Sequence, residues 1–138
     1  MFDHILILVN IEKDNQAAID RAIRLADPGR TEVTLLSLVY NRALDSDYLF
    51  DDEGKYHAHD AFNAQCKRKL LPLQHQLSSA GIDTHIDVVW SKHKHQDLIE
   101  YLNHADVDLV IKTIREHSFI ERVFYSHNEW HLIRESQH

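Results

Sequence analysis

Apolar positions fall along this chain in two alternating rhythms. His4–Ile11 holds a compact apolar run, Ile-Leu-Ile-Leu-Val, without polar alternation. Such a run suits a central parallel strand covered on both faces. Ala18, Ala22, Leu25 and Ala26 then recur at helical spacing, so a helix is expected from near Asn15, capped by Asp14. Asp27-Pro28-Gly29 ends it, because proline cannot continue the ladder and glycine tolerates a left-handed turn. Val33–Tyr40 reads as a second strand. Asn41–Tyr56 reads as a polar connection whose Asp45, Asp47, Asp51, Asp52 and Glu53 repel one another, so it is expected to be mobile or only locally ordered.

A long helix is expected from about Ala58 to Ala80, ending at Gly81, with Pro72 kinking or breaking it at Leu71. Asp83–Trp90 reads as a third strand. His95–His104 reads as a short helix with Leu98, Ile99 and Leu102 inward, and Leu109–Lys112 as a fourth strand. A polar loop over 113–125 and a last helix, Asn128–Glu135, with Trp130, Leu132 and Ile133, complete the pattern. The alternation predicts one α/β domain over residues 1–138: an open, mainly parallel sheet between helices, with right-handed crossovers. Ligands of such sheets sit at the carboxyl ends of the strands, beside the switch point. Those ends are Asn10–Ile11, Val39–Asn41 and Thr113–Glu116.

Composition narrows the function classes. The net charge of −7 opposes phosphate backbones, so no nucleic-acid partner is expected, and Lys67-Arg68-Lys69 reads as a solvated helix face. The longest apolar run, Ile5–Val9, is far below the roughly 20 residues that span a bilayer, so no membrane partner is expected. The single cysteine, Cys66, cannot form an intrachain disulfide, and a chain without a signal peptide fits a reducing cytoplasm. The three glycines, Gly29, Gly54 and Gly81, read as two helix ends and part of the acidic connection, leaving none for a phosphate cradle.

Phe2-Asp3-His4-Ile5-Leu6, the alanine-rich first helix, Val33-Thr34-Leu35-Leu36 and Asp108-Leu109-Val110-Ile111 together resemble the universal stress protein family. The stretches His117-Ser118-Phe119-Ile120-Glu121-Arg122-Val123-Phe124 and Trp130-His131-Leu132-Ile133-Arg134 strengthen the likeness. The resemblance implies a cytoplasmic stress-response module that forms homodimers. In nucleotide-binding members, a loop Gly-x2-Gly-x9-Gly-[Ser/Thr] after strand four holds phosphates. Laid on this chain, its glycines fall on Thr113, Glu116 and Ser126 and its hydroxyl on His127. With Asn10 and Val39, these are the family's ATP-site positions, and the loop is expected to be degenerate. A carboxylate at Glu116 would face a triphosphate. ATP is therefore not expected, and no cofactor is. The family's fifth strand has no apolar counterpart after the last helix. Four strands are expected, with strand four as an unpaired edge. That edge would pair with a partner chain or second copy, be covered by a helix, or mark the chain as a fragment.

Histidine is unusually frequent, at 12 residues. His127 and His131 share a helical face, with His117 and the carboxylates Glu116, Glu121 and Glu129 close in sequence, a spacing that zinc can use. His57-x-His59-Asp60 and His93-x-His95 offer further pairs. With histidines this scattered, zinc on any of them is expected to be adventitious. Cys66, beside Lys67 and Arg68, is expected to be buried and inert. Phe119, Phe124 and Tyr125 are expected to pack on the sheet, filling space that a nucleotide would take, or else to form an apolar interface. No catalytic constellation is visible, so no enzyme is expected. The leading expectation is a module acting by self-association or partner binding. The alternatives are a small-molecule binder at the ends of strands one and four, and a histidine-based metal or pH sensor.

Overall fold

The computed structural model describes residues 2–46, 51–115 and 118–123. Chain order is β1 (His4–Leu8), α1 (Gln16–Leu25), β2 (Glu32–Val39), a 3-10 turn (Arg42–Asp45), α2 (Asp52–Ser79), β3 (Asp83–Trp90), α3 (Lys94–Asn103), β4 (Leu109–Arg115) and β5 (Ser118–Val123). The sheet order is β3-β2-β1-β4-β5. β1 to β4 are parallel, and β5 runs antiparallel to β4. The strand order reverses between β1 and β4, which makes that junction the switch point.

Strand alternation divides the core into two layers. Ile5, Ile7, Val33, Leu35, Leu109 and Ile111 meet Ala18, Ile19 and Ala22 of α1 and Leu70 and Leu77 of α2. Leu6, Leu36, Leu38 and Val110 meet Leu98 and Leu102 of α3. The unbroken apolar run of β1 therefore has a packing cause, since both its faces are covered. Asp108 fastens the start of the sheet: its Oδ2 accepts from the amides of Asp3 (2.8 Å) and His4 (2.9 Å). Gly81, at φ 83°, closes α2. The Ile82 amide reaches Leu77 O and the Gly81 amide reaches Ser78 O, the paired bonds of a left-handed helix stop.

Three expectations need correction. The sheet has five strands, not four, and β5 takes the β4 edge expected to lie open for a partner. β5 comes from the stretch read as a polar loop. Phe119 packs against the α1–α2 core, and Glu121 receives a bidentate pair from Arg21 of α1: Nε–Oε2 3.0 Å and Nη2–Oε1 2.9 Å. A charged residue thus occupies an inward-facing strand position because its partner waits on the helix above. In the described part of the acidic connection, the long helix starts earlier than expected. α2 begins at Asp52, not Ala58; Asp51 Oδ1 accepts from the Gly54 amide at 2.7 Å, and Asp52 and Glu53 lie in the first turn, where the helix dipole favours carboxylates. Gly54 is thereby a helical residue. Finally, α2 runs through Pro72 without a break. Pro72 and Leu71 are exposed, so the ring costs the helix a hydrogen bond without disturbing the core. The expected helix over 128–135 lies outside the described residues.

Truncating Phe119 to alanine should lower unfolding free energy by about 2 kcal/mol, as expected for a partly buried aromatic. Denaturant melts would show it, and hydrogen exchange should report protected amides across 118–123. Tyr101 of α3 donates its hydroxyl to Asp87 Oδ2 at 3.0 Å. Burial first, then this bond and the carboxylate charge, push its pKa up to about 12. Because the folded pKa exceeds the unfolded value near 10, this stabilisation is complete below pH 10 and lost as pH rises toward 12. Tyr101→Phe should cost about 1 kcal/mol at neutral pH and flatten that alkaline loss in pH-resolved melts.

Candidate functional site

β1, β2 and β4 end together, and the chain must leave the sheet there without burying unpaired peptide groups. After β1 it does so through Asn10 and Asn15. Asn15 is buried; its Oδ1 accepts from the Asn10 amide at 3.1 Å, and its Nδ2 donates to Asn10 O at 2.8 Å and Lys13 O at 2.9 Å. Asn10 Oδ1 in turn accepts from the Glu12 amide at 3.0 Å. Asp14, the expected cap, accepts from the Gln16 amide at 2.9 Å. This turn leaves a cavity of about 400 Å³ above the strand ends.

The cavity gathers three of the expected site residues, Asn10, Val39 and Thr113. Glu116, Ser126 and His127 lie outside the described residues, as do His117 and His131. Its apolar wall includes Leu8, Leu38, Phe62 and Leu98, and its polar wall Ser37, Tyr40, Lys94, His95 and Lys112. Sequence reading missed Lys94 and Lys112 as site residues and took His95 only as half of a metal pair with His93, although the strand-four end and the start of the third helix were both legible. Phe119 is not among the lining residues; it packs against the α1–α2 core below. The cavity is not plugged by that ring.

Thr113 is 5% exposed, and its Oγ1 has no hydrogen-bond partner. A buried unpaired hydroxyl costs about 1–3 kcal/mol, and this oxygen is closed to solvent although the residue borders the cavity. Beside it, burial pushes the Lys112 amine below the usual lysine pKa, and the Lys13 charge pushes it the same way. Lys13 Nζ itself donates to Ile114 O at 2.9 Å. Aromatic packing stiffens the β2–β3 side. His59 stacks on Trp90 with centroids 3.6 Å apart and an interplanar angle of 13°, and Tyr40 and Phe62 meet the same indole edge-on.

That stack also separates the expected histidine pair. His59 packs on Trp90 with Nε2 3.2 Å from Leu44 O, whereas exposed His57 lies 3.8 Å from Glu53. Among the described residues, the group able to converge on a cation is Glu32, Asp83 and His85, whose ligand atoms lie within 4.8 Å of one another. All three are exposed, at the opposite end of the sheet. They escaped sequence reading because only the β2–β3 register sets Glu32 against Asp83. Cys66 is 2% exposed, and burial, opposed by Lys69, raises its thiol pKa, which suits an inert packing residue. Among the described residues, no helix is long and apolar enough to cross a membrane.

A mainly parallel sheet with this strand order, and a cavity at its switch point, define an open α/β protein with a candidate ligand site at the strand ends. The universal stress protein family profile matches residues 1–138, and the chain belongs to that family. It is 22% identical over 134 residues to universal stress protein E of Escherichia coli K12, a match covering 97% of this chain and 42% of that protein. The chain thus spans less than half the length of this relative. A universal stress protein family structure from Burkholderia pseudomallei superposes with a TM-score of 0.58 at 18% identity, covering 98% of this chain and 90% of that one. The hypothetical protein MJ0577, solved as a test case of structural genomics, superposes with a TM-score of 0.63 at 18% identity, covering 80% and 73%. Both likenesses concern the fold.

Asn15→Ala should destabilise the protein by about 2 kcal/mol, because it strands the Asn10 amide and removes one of the two donors to Asn10 O, which keeps the Lys13 amide. Urea denaturation would measure it, and a change within error of zero would show that water replaces the side chain.

Proposed function

We propose that this chain is a cytoplasmic stress-response module that holds a small molecule in the cavity at the ends of β1, β2 and β4, by contacts other than the family's glycine loop. The observation carrying this reading is the cavity of about 400 Å³ at the switch point, which brings Asn10, Val39 and Thr113 together among the described residues. Departure from the loop pattern at Thr113, Glu116, Ser126 and His127 supports the second half of the reading. Glycine amides that approach phosphates closely are missing from all three glycine positions. The role is binding, not catalysis. Self-association accompanies it as the family resemblance implies, but an open β4 edge is no longer its basis, since β5 pairs there.

The neutral fluorophore N-phenyl-1-naphthylamine should bind saturably, one per chain. Calorimetry with Mg-ATP at millimolar concentration should give no saturable heat, and Mg-ATP should not displace the fluorophore. Thr113→Val should raise unfolding free energy by up to about 1 kcal/mol, because it replaces an unpaired hydroxyl by a methyl group of similar size. Absence of fluorophore binding would sink the cavity reading. Saturable Mg-ATP binding would sink the claim that the phosphate loop has been lost.

A further inference from the structure

α2 is longer than the sheet beneath it. Its 28 residues run about 42 Å, whereas the 8-residue strands β2 and β3 run about 26 Å. One side of the helix is committed to the core through Cys66, Leu70 and Leu77. The other carries an exposed row, His57, Ala61, Ala64, Arg68, Leu71 and His75, spaced alternately four and three residues apart. That is the spacing by which one helix presents a continuous seam to another. Among the described residues, the large hydrophobic side chains left open are Tyr56, 71% exposed, and Leu71, 47% exposed, and both belong to this helix. They stand about 22 Å apart along its axis, too far to shield each other.

Charge is divided along the same helix. Asp52, Glu53 and Asp60, against Lys55, make its first third acidic. Past the middle come the exposed Lys67, Arg68 and Lys69, with no carboxylate from there to the helix end. Asp60 and Arg68 lie about 12 Å apart, and the residues four places from each, Tyr56, Ala64 and Pro72, are uncharged. Their opposite charges therefore do not meet within one chain. Turning a second α2 end over end about Ala64 brings them together. Asp60 then faces Arg68 of the second copy, Glu53 faces His75, and His57 faces Leu71, all about one centre. Tyr56 comes to rest beside Leu71 and Pro72 of that copy. Ala64 meets its own equivalent, where a methyl group lets two helices approach closely. A parallel arrangement would instead set Asp60 on Asp60 and Arg68 on Arg68, which like-charge repulsion disfavours.

We propose that the exposed face of α2 is the surface by which two copies of this chain associate, antiparallel, about a twofold axis beside Ala64. The contact is isologous, each copy giving the same patch. Tyr56, Leu71 and Pro72 supply apolar burial, and the two Asp60–Arg68 pairs fix direction and register. This inference rests on the self-association part of the proposed function, independently of the cavity, and it adds the surface.

Sedimentation equilibrium of the intact chain over a range of concentrations reads the association. Asp60→Arg and Arg68→Glu each set like charges face to face twice per dimer, so each should weaken dimerisation by at least about tenfold. The double variant should regain it. An equimolar mixture of the two single variants should regain it too, because the mixture pairs opposite charges at both places. Both positions are exposed, so the fold should be undisturbed. Ala64→Cys puts a thiol at the twofold axis, and a short bismaleimide should link two such chains. Cys66, at 2% exposure, is closed to the reagent. A chain monomeric at every concentration would overturn this proposal and the self-association reading together. A wild-type dimer that neither charge reversal weakens would overturn the α2 surface alone and leave self-association standing. Single variants that stay monomeric when mixed would do the same.

Discussion

Everything in this fold hangs on the pairing of β1 between two parallel neighbours. Ile5, Leu6 and Ile7 have no exposed surface, and each lies in register with β2 on one side and β4 on the other. Burying such side chains contributes about 1.5–3 kcal/mol apiece, and their alternation commits α1 and α2 to one face and α3 to the other. The same pairing creates the site. The neighbours of β1 leave the sheet in opposite senses, so no crossover fills the space above its carboxyl end. A cavity there follows from topology, before any ligand is considered.

The rim of that cavity is governed by polar satisfaction. Asn15 returns from the helix start to pair both peptide groups of Asn10. Ser91 is likewise held by Asp97. Against this background the lone Thr113 hydroxyl is a local conflict with the rest of the fold. Conflicts of this kind are expected where a protein keeps a function at some expense in stability.

Much of this architecture could be read from the residues. The doubly covered β1, the helix stop at Gly81 and the meeting of Asn10, Val39 and Thr113 at the strand ends all follow from local rules of periodicity, backbone freedom and strand order. β5 did not, and the reason is physical. Glu121 breaks the apolar alternation of a strand, and its inward position makes sense only once Arg21, 100 residues earlier in the chain, is known to lie above it. The α2 start was misplaced for a related reason. Asp51, Asp52 and Glu53 look like mutual repulsion in sequence, but a helix N-terminus turns the same charges into favourable partners. In both cases electrostatics depended on a partner that pattern reading does not place.

The cavity lining extends that lesson to the site. Lys94 and Lys112 stand in no motif, and His95 is legible only as half of the His93-x-His95 pair. They meet because α3 starts where β4 ends, a fact of layer packing. The composition of the cavity wall is thus set by where elements end, and side chains far apart in the chain become neighbours only through that packing.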